Sequence, residues 1–209
     1  MNRDSLLSQA AAYATKQISF VHVLILQTYG SASRRSASLL LASDGSSWGT
    51  VGGGELEAQA LAHAQKILQE EILLSEQTIE VQEGMGSVHL LFLLHTATDL
   101  HTEYYRVLAD WEDADRYCTL AVQIEPALAL FGVDEAGNTV GNPSAVAVTH
   151  AQSVLKTKQP RFVEADGFRC YYSLPVQKTR LLLVGGGHVN QAIASLASYL
   201  GLQTIVVET

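Results

Sequence analysis

The 209-residue sequence predicts an α/β protein in two parts, and three observations carry the prediction. Apolar runs rich in β-branched residues alternate with stretches whose apolar positions recur at helical spacing. The last series, from position 180 onward, reads strand, glycine turn, helix, strand. Apolar residues make up 47% of the chain against 16% charged, which is material for a buried core. Sixteen glycines against four prolines favour tight turns over a proline-rich linker.

In chain order, Leu6 to Lys16 reads as a short helix and Phe20 to Thr28 as a strand. A second strand, Ser38 to Ala42, stops at the turn dipeptide Asp44-Gly45, and Ser46 to Val51 leads to three glycines. From Glu55 to Glu71, Leu56, Ala60, Ala64, Ile67 and Leu68 repeat at helical spacing, with carboxylates in the first turn to offset the helix dipole. Strands follow at Ile79 to Gln82 and Val88 to His95, then an amphipathic helix from Glu103 to Ala114. Tyr117 to Ile124 and Ala127 to Val133 are strands, and Asp134 to Asn138 is a turn. Ser144 to Lys156 forms a helix that Ser144 can cap, and Arg161 to Leu174 is a hairpin turning at Asp166-Gly167. No internal repeat is legible. Pro175 and Lys178 separate this part, residues 1–176, from the remainder, residues 177–209.

Arg180 to Val184 has the continuous apolar character of a strand buried on both faces of a parallel sheet. It runs into Gly185-Gly186-Gly187-His188, then a helix with Val189, Ile193, Leu196, Ala197 and Leu200 on one face and Gly201 as its C-terminal cap. Thr204 to Val207 is the second strand, ending at Glu208. This is the start of a Rossmann-like parallel-sheet domain. The first glycine permits the turn, the second admits a diphosphate, and helix N–H groups face the anion. Glu208 stands where an acid can reach a ribose hydroxyl, although strand ends are also acidic for solubility. Asn190 replaces the third glycine of the fingerprint. One βαβ unit is an incomplete nucleotide site, so the chain is either a fragment or completes its sheet through a partner. A homodimer would cover the apolar flanks.

Near the N-terminus, Gly30-Ser31-Ala32-Ser33-Arg34-Arg35 and Gly49-Thr50-Val51-Gly52-Gly53-Gly54 form two small-residue loops. The two guanidiniums suit bidentate oxyanion contact, and read equally as solvated surface. Glu55 and Glu57 would compete with a phosphate at the second loop, whose glycines can instead serve helix packing.

Several classes are set aside. With 13 basic against 21 acidic residues the net charge is −8, and no basic cluster exceeds Arg34-Arg35, which disfavours nucleic acid as partner. Cys118 and Cys170 show no metal-ligand spacing, and the histidines at 22, 63, 89, 95, 101 and 150 form no HxH or HxxxH pair. No leader core or membrane-length apolar run appears, so a cytoplasmic protein without a membrane is expected. No assembled nucleophile and base is visible, and a binding role is expected rather than catalysis.

Together the two glycine stretches resemble the XdhC/CoxI family, accessory factors of xanthine dehydrogenase and CO dehydrogenase. The family pattern is a GSTPR-like loop, a GTIGGG-x-LE segment, and a Rossmann domain opening with G-A/G-G-H-V. This sequence has GSASR at Gly30 to Arg34, GTVGGGELE at Gly49 to Glu57, and LLLVGGGHVNQAIASLA at Leu181 to Ala197. The resemblance implies binding of molybdenum cofactor, a pterin with a phosphate, and its delivery to an apo molybdenum hydroxylase, with a cysteine desulfurase as sulfur donor. By carry-over, Arg34, Gly52, Gly53, Gly54, Gly185, Gly186, Gly187 and His188 are candidate cofactor-contacting positions. Where members carry a GMxCGG-like segment, this chain has Gly84-Met85-Gly86-Ser87-Val88, without the cysteine. The alternatives are an NAD(P)-dependent oxidoreductase, with Glu208 favouring NAD, and a regulatory scaffold that binds neither ligand.

Overall fold

A computed structural model describes residues 5–30, 37–81, 86–96, 98–165, 167–175, 180–200 and 202–208. The chain folds as two compact units, Ser5–Pro175 and one containing Val176–Thr209. It is an α/β protein whose larger sheets are antiparallel.

The first unit opens with α1 (Leu6–Thr15), β1 (Phe20–Gly30), β2 (Ser38–Ala42), β3 (Ser47–Thr50), α2 (Gly54–Glu70), β4 (Leu74–Val81) and β5 (Gly86–His95). It continues with α3 (Asp99–Asp113), β6 (Cys118–Glu125), β7 (Ala129–Asp134), β8 (Thr139–Val140), α4 (Ala145–Thr157), β9 (Arg161–Ala165) and β10 (Phe168–Ser173). Two five-stranded sheets result, ordered β3-β2-β1-β5-β4 and β8-β7-β6-β10-β9.

Strand alternation sorts side chains between layers. Along β1, Val21, Val23 and Ile25 pack with Ala60, Ala64 and Ile67 of α2. Phe20 and Leu24 point the other way, to a central core built with Tyr13 of α1, Tyr105 and Leu108 of α3, and Leu120, Val122 and Tyr171 of the second sheet. On that sheet's far face, Ala121, Phe131 and Tyr172 pack with Ala147, Ala151 and Val154 of α4. Each fully buried aliphatic side chain contributes about 1.5–3 kcal/mol. Arg169 of β10 donates to both carboxylate oxygens of Glu76 on β4, at 3.0 and 3.1 Å, which ties the two sheets at their rim.

The central core also holds polar groups. The Tyr105 hydroxyl lies 3.0 Å from His22 Nδ1 and 2.7 Å from His95 Nε2, all three side chains buried. Burial pushes His22 down to about 3 and His95 well below its ordinary value, so both rings are neutral.

Most expected elements form, with instructive differences. The fourth strand begins at Leu74, five residues before the expected Ile79, because β4 is a sheet edge and its polar Ser75-Glu76-Gln77-Thr78 run lacks an apolar signature. Asp166 and Gly201 lie outside the described residues. The expectation of no internal repeat is overturned, since the two sheets have the same strand order and the same helix insertions.

The second unit holds β11 (Arg180–Val184), α5 (His188–Tyr199) and β12 (Gln203–Val207). β11 and β12 pair in parallel, Leu182 against Ile205 and Val184 against Val207. Parallel pairing among the described residues is confined to these two strands. The predicted apolar face of α5 is mostly open: Ala197 is buried, whereas Val189, Leu196 and Leu200 are exposed. A sheet two strands wide covers only the middle of a helix. No helix among the described residues is long and apolar enough to cross a membrane.

Candidate functional site

The structure places the predicted glycines at two strand-to-helix connections, one in each unit. Arg34 lies outside the described residues.

In the first unit, Gly52, Gly53 and Gly54 have φ of +144°, +75° and +60°. No L-residue takes three such values in succession cheaply, so the backbone path itself demands glycine here. Gly53 is the N-cap of α2, and no side-chain hydrogen bond is made from the cap residue. The carboxylate of Glu57, one turn in, reaches back instead: its Oε2 accepts from the Thr50 hydroxyl and from the Gly53 N–H at 3.3 Å. Thr50 Oγ1 in turn accepts from the Gly52 N–H at 3.1 Å. The loop is therefore closed on its own carboxylate, the competition that Glu57 raised in sequence. Thr50 as the bridging hydroxyl was missed, and the T-x-x-x-x-x-x-E spacing is its only sequence trace.

In the second unit, Gly185 has φ of +91° and its N–H donates to Val207 O at 2.7 Å, closing the parallel pair. At Gly186 a Cβ would stand 2.3 Å from Glu208 Oε1, the tip of a flexible side chain that rests over the glycine. The close approach that the second glycine permits is thus made by Glu208 of this chain. Asn190, in the place of the third glycine, donates from Nδ2 to Val184 O at 2.8 Å and to Gly185 O at 2.7 Å. Gln191 Nε2 donates to Gly186 O at 2.9 Å. These two amides hold the turn; the sequence marked Asn190 only as the substitute for the third glycine and assigned Gln191 no role. Gly187 caps α5 without a side-chain hydrogen bond, no acidic residue occupies the first turn, and His188 is exposed at its first position. The carboxylate that stands beside this helix start is that of Glu208, on an exposed side chain.

The two cysteines of the chain are both buried, Cys118 at the inner face of β6 and Cys170 at the α4 face of β10. Burial pushes each thiol up to about 12, which leaves no thiolate for sulfur chemistry at neutral pH. Among the described residues no group of three His, Cys, Asp or Glu side chains is placed to hold a metal ion.

Comparison with known proteins bears on the class. Residues 14–75 match the XdhC and CoxI family, so the resemblance read from the sequence holds over the segment that contains the first glycine loop. The fold is similar to that of a xanthine dehydrogenase from Bacillus halodurans, with a TM-score of 0.71 and 19% identity. The likeness covers 97% of this chain and 62% of that one, so the chain spans less than two thirds of its structural neighbour. No curated protein matches the sequence.

Proposed function

We propose that this chain is an accessory protein that binds molybdenum cofactor and passes it to a xanthine dehydrogenase-type molybdenum hydroxylase. The observation that carries the reading is the family match over residues 14–75, which encloses the Gly49–Glu57 loop. Membership of that family implies an accessory role, and the structure supplies groups that suit the cargo. The start of α5 suits the cofactor's phosphate, because its first turn carries neither a side-chain cap nor an acidic residue, and the Glu208 carboxylate beside Gly186 sits on an exposed side chain that can swing away. The loop before α2 suits a different part of the molecule. Glu57 there makes a poor neighbour for phosphate and a good acceptor for the N–H-rich edge of a pterin. Binding and release are the whole of this chain's work. With both thiols buried, sulfur for the cofactor comes from another protein, a cysteine desulfurase. The β11–β12 unit is read as the opening of a Rossmann-like domain, the protein as a cytoplasmic homodimer, and the apo-hydroxylase as its target.

A second reading, an NAD(P)-dependent oxidoreductase, draws on one observation: Glu208 reaches over Gly186, where an acid meets a ribose hydroxyl. One experiment separates the two. Purified protein is titrated anaerobically with molybdenum cofactor and, in parallel, with NADH. Saturable uptake of cofactor without an NADH response is expected, and the reverse pattern overturns the accessory reading.

A further inference from the structure

We infer that the Ser5–Pro175 unit is a tandem duplication of one α-β-β-β-α-β-β module, and that residues 50–59 are a functional elaboration carried by the first copy alone. The first copy runs from α1 to β5 and the second from α3 to β10, with identical element order and identical strand order in the two sheets.

The match extends to single residues. Each opening helix ends the same way: Gln17 and Asp115 have φ of +57° and +62°, and the next residue donates back, Ile18 N–H to Tyr13 O and Arg116 N–H to Trp111 O. Each turn between the second and third strands repeats bond for bond: Ala42 N–H donates to Ser46 O and Asp134 N–H to Asn138 O, at 2.9 and 3.0 Å, while Gly45 and Gly137, at φ of +85° and +88°, donate back to Ala42 O and Asp134 O. Gly49 and Gly141 have φ of +88° and +78°, and a Cβ at either would stand 2.3 Å from a carbonyl oxygen of the facing strand, Ser38 O or Leu130 O. The second helices bury Ala60, Ala64 and Ile67 in one copy and Ala147, Ala151 and Val154 in the other, at the same spacing. They end on left-handed caps, Glu71 and Lys158, that donate to Ile67 O and Val154 O.

These landmarks bracket one departure. Between Gly141 and Ala147 the second copy crosses from strand to helix with Asn142-Pro143-Ser144-Ala145-Val146, and Ser144 caps α4 through Ala147 N–H at 3.2 Å. Between Gly49 and Ala60 the first copy uses ten residues, Thr50 to Gln59, for the same crossing. The molecule thus contains its own control. Joining the strand to the helix needs neither three glycines nor the extra turn that carries Glu55 and Glu57, so the longer path, with the glycines it demands, serves something other than the connection. The family match points the same way, for residues 14–75 fall wholly within the first copy. One elaborated copy means one pterin-handling surface in this unit; that clause rests on the function proposed above, whereas the duplication does not.

The test is a graft in the full chain, with residues 50–59 replaced by Asn-Pro-Ser-Ala-Val. It is expected to unfold cooperatively with Tm lowered by no more than about 10 °C, the cost of losing buried Val51, and to lose cofactor uptake. A graft that no longer folds, or one that folds and still takes up cofactor, overturns the elaboration. Gly49→Ala and Gly141→Ala test the duplication without touching the loop. Both should lower Tm by similar amounts, at least about 6 °C; a neutral Gly141→Ala beside a damaging Gly49→Ala overturns the equivalence. If the wild-type chain takes up no cofactor, the ligand reading alone fails, and the folding results still decide the rest.

Discussion

The two units of this protein use the same kinds of residue to opposite ends. In Ser5–Pro175, three layers of apolar side chains enclose both sheets, and even the polar groups His22, His95 and Tyr105 are buried, with the Tyr105 hydroxyl bonded between the two rings. In the β11–α5–β12 unit, Leu183 and Ala197 are buried, while Leu182, Val184, Val189 and Leu196 stand exposed. Hydrophobicity alone therefore does not place a side chain inside; enough facing surface must exist to cover it. The glycine loops differ in the same sense. The one before α2 is closed by Glu57, whereas the one before α5 is held by backbone-directed amides and leaves its helix start uncapped.

Acid should separate the units most. His22 and His95 have lowered folded-state values, so below the ordinary value near 6.5 the unfolded chain binds protons that the folded chain does not. Stability of the first unit is full above that pH and falls as pH drops below it, for His22 by about 1.4 kcal/mol per pH unit until its folded value near 3, with His95 adding in the same direction. Denaturant midpoints measured from pH 7 to pH 4 should show this slope; a flat profile would mean the rings are not buried as neutral groups.

Next in size is Tyr105→Phe. It removes the hydroxyl between the two rings and leaves His22 Nδ1 and His95 Nε2 buried without that partner, at a cost of about 2–4 kcal/mol. Chemical denaturation reads the loss, and a variant within 0.5 kcal/mol of wild type, about the scatter of surface changes, would remove the cluster from the core's account.

The glycine loops give a smaller, paired effect. Gly53→Ala forces an L-residue to φ of +75° with open space around it, so it should cost about 1–2 kcal/mol from backbone strain alone. Gly187→Ala, at φ of −64° with nothing near its Cβ, should be almost neutral in stability. Equal costs at both positions would break the contrast between the loops. Smallest is Asn190→Ala, expected to remove about 1 kcal/mol locally and to speed amide exchange in β11 and β12 while leaving β1 and β5 protected. Unchanged exchange in β11 would show that the turn does not depend on that amide.

Much of the architecture could be read in advance, and the reasons for the exceptions are physical. The strand Phe20 to Thr28 was legible as a near-continuous apolar run because β1 is covered on both faces, and the helix after Gly54 because one buried face leaves a period of 3.6 in the residues themselves. The polar run Ser75 to Thr78 of edge strand β4 and two-residue β8 left no such trace, since a polar edge or a ladder of two residue pairs needs no apolar period. The repeat escaped for a different reason. The separation between matched residues drifts from 98 at Gln17 and Asp115 to 92 at Gly49 and Gly141 and 87 at Ala60 and Ala147. The identical pairs are small residues, Gly49 with Gly141 and Ala60 with Ala147, whereas Tyr13 is matched by Trp111 and Ile67 by Val154, because a core position requires volume and apolarity rather than one side chain.

At the candidate site, the sequence by itself determined which backbone positions could turn, because glycine takes the positive φ values at Gly52 to Gly54 and Gly185 at far lower cost than a residue with a side chain. It also determined that carboxylates would stand near both loops. Tertiary structure decided what those carboxylates do. Glu57 folds back to close its own helix start, and Glu208, delivered by a strand that pairs beside the turn, covers Gly186. Such contacts depend on which strands lie side by side, and strand neighbours are chosen by the packing of whole layers rather than by any local run of residues.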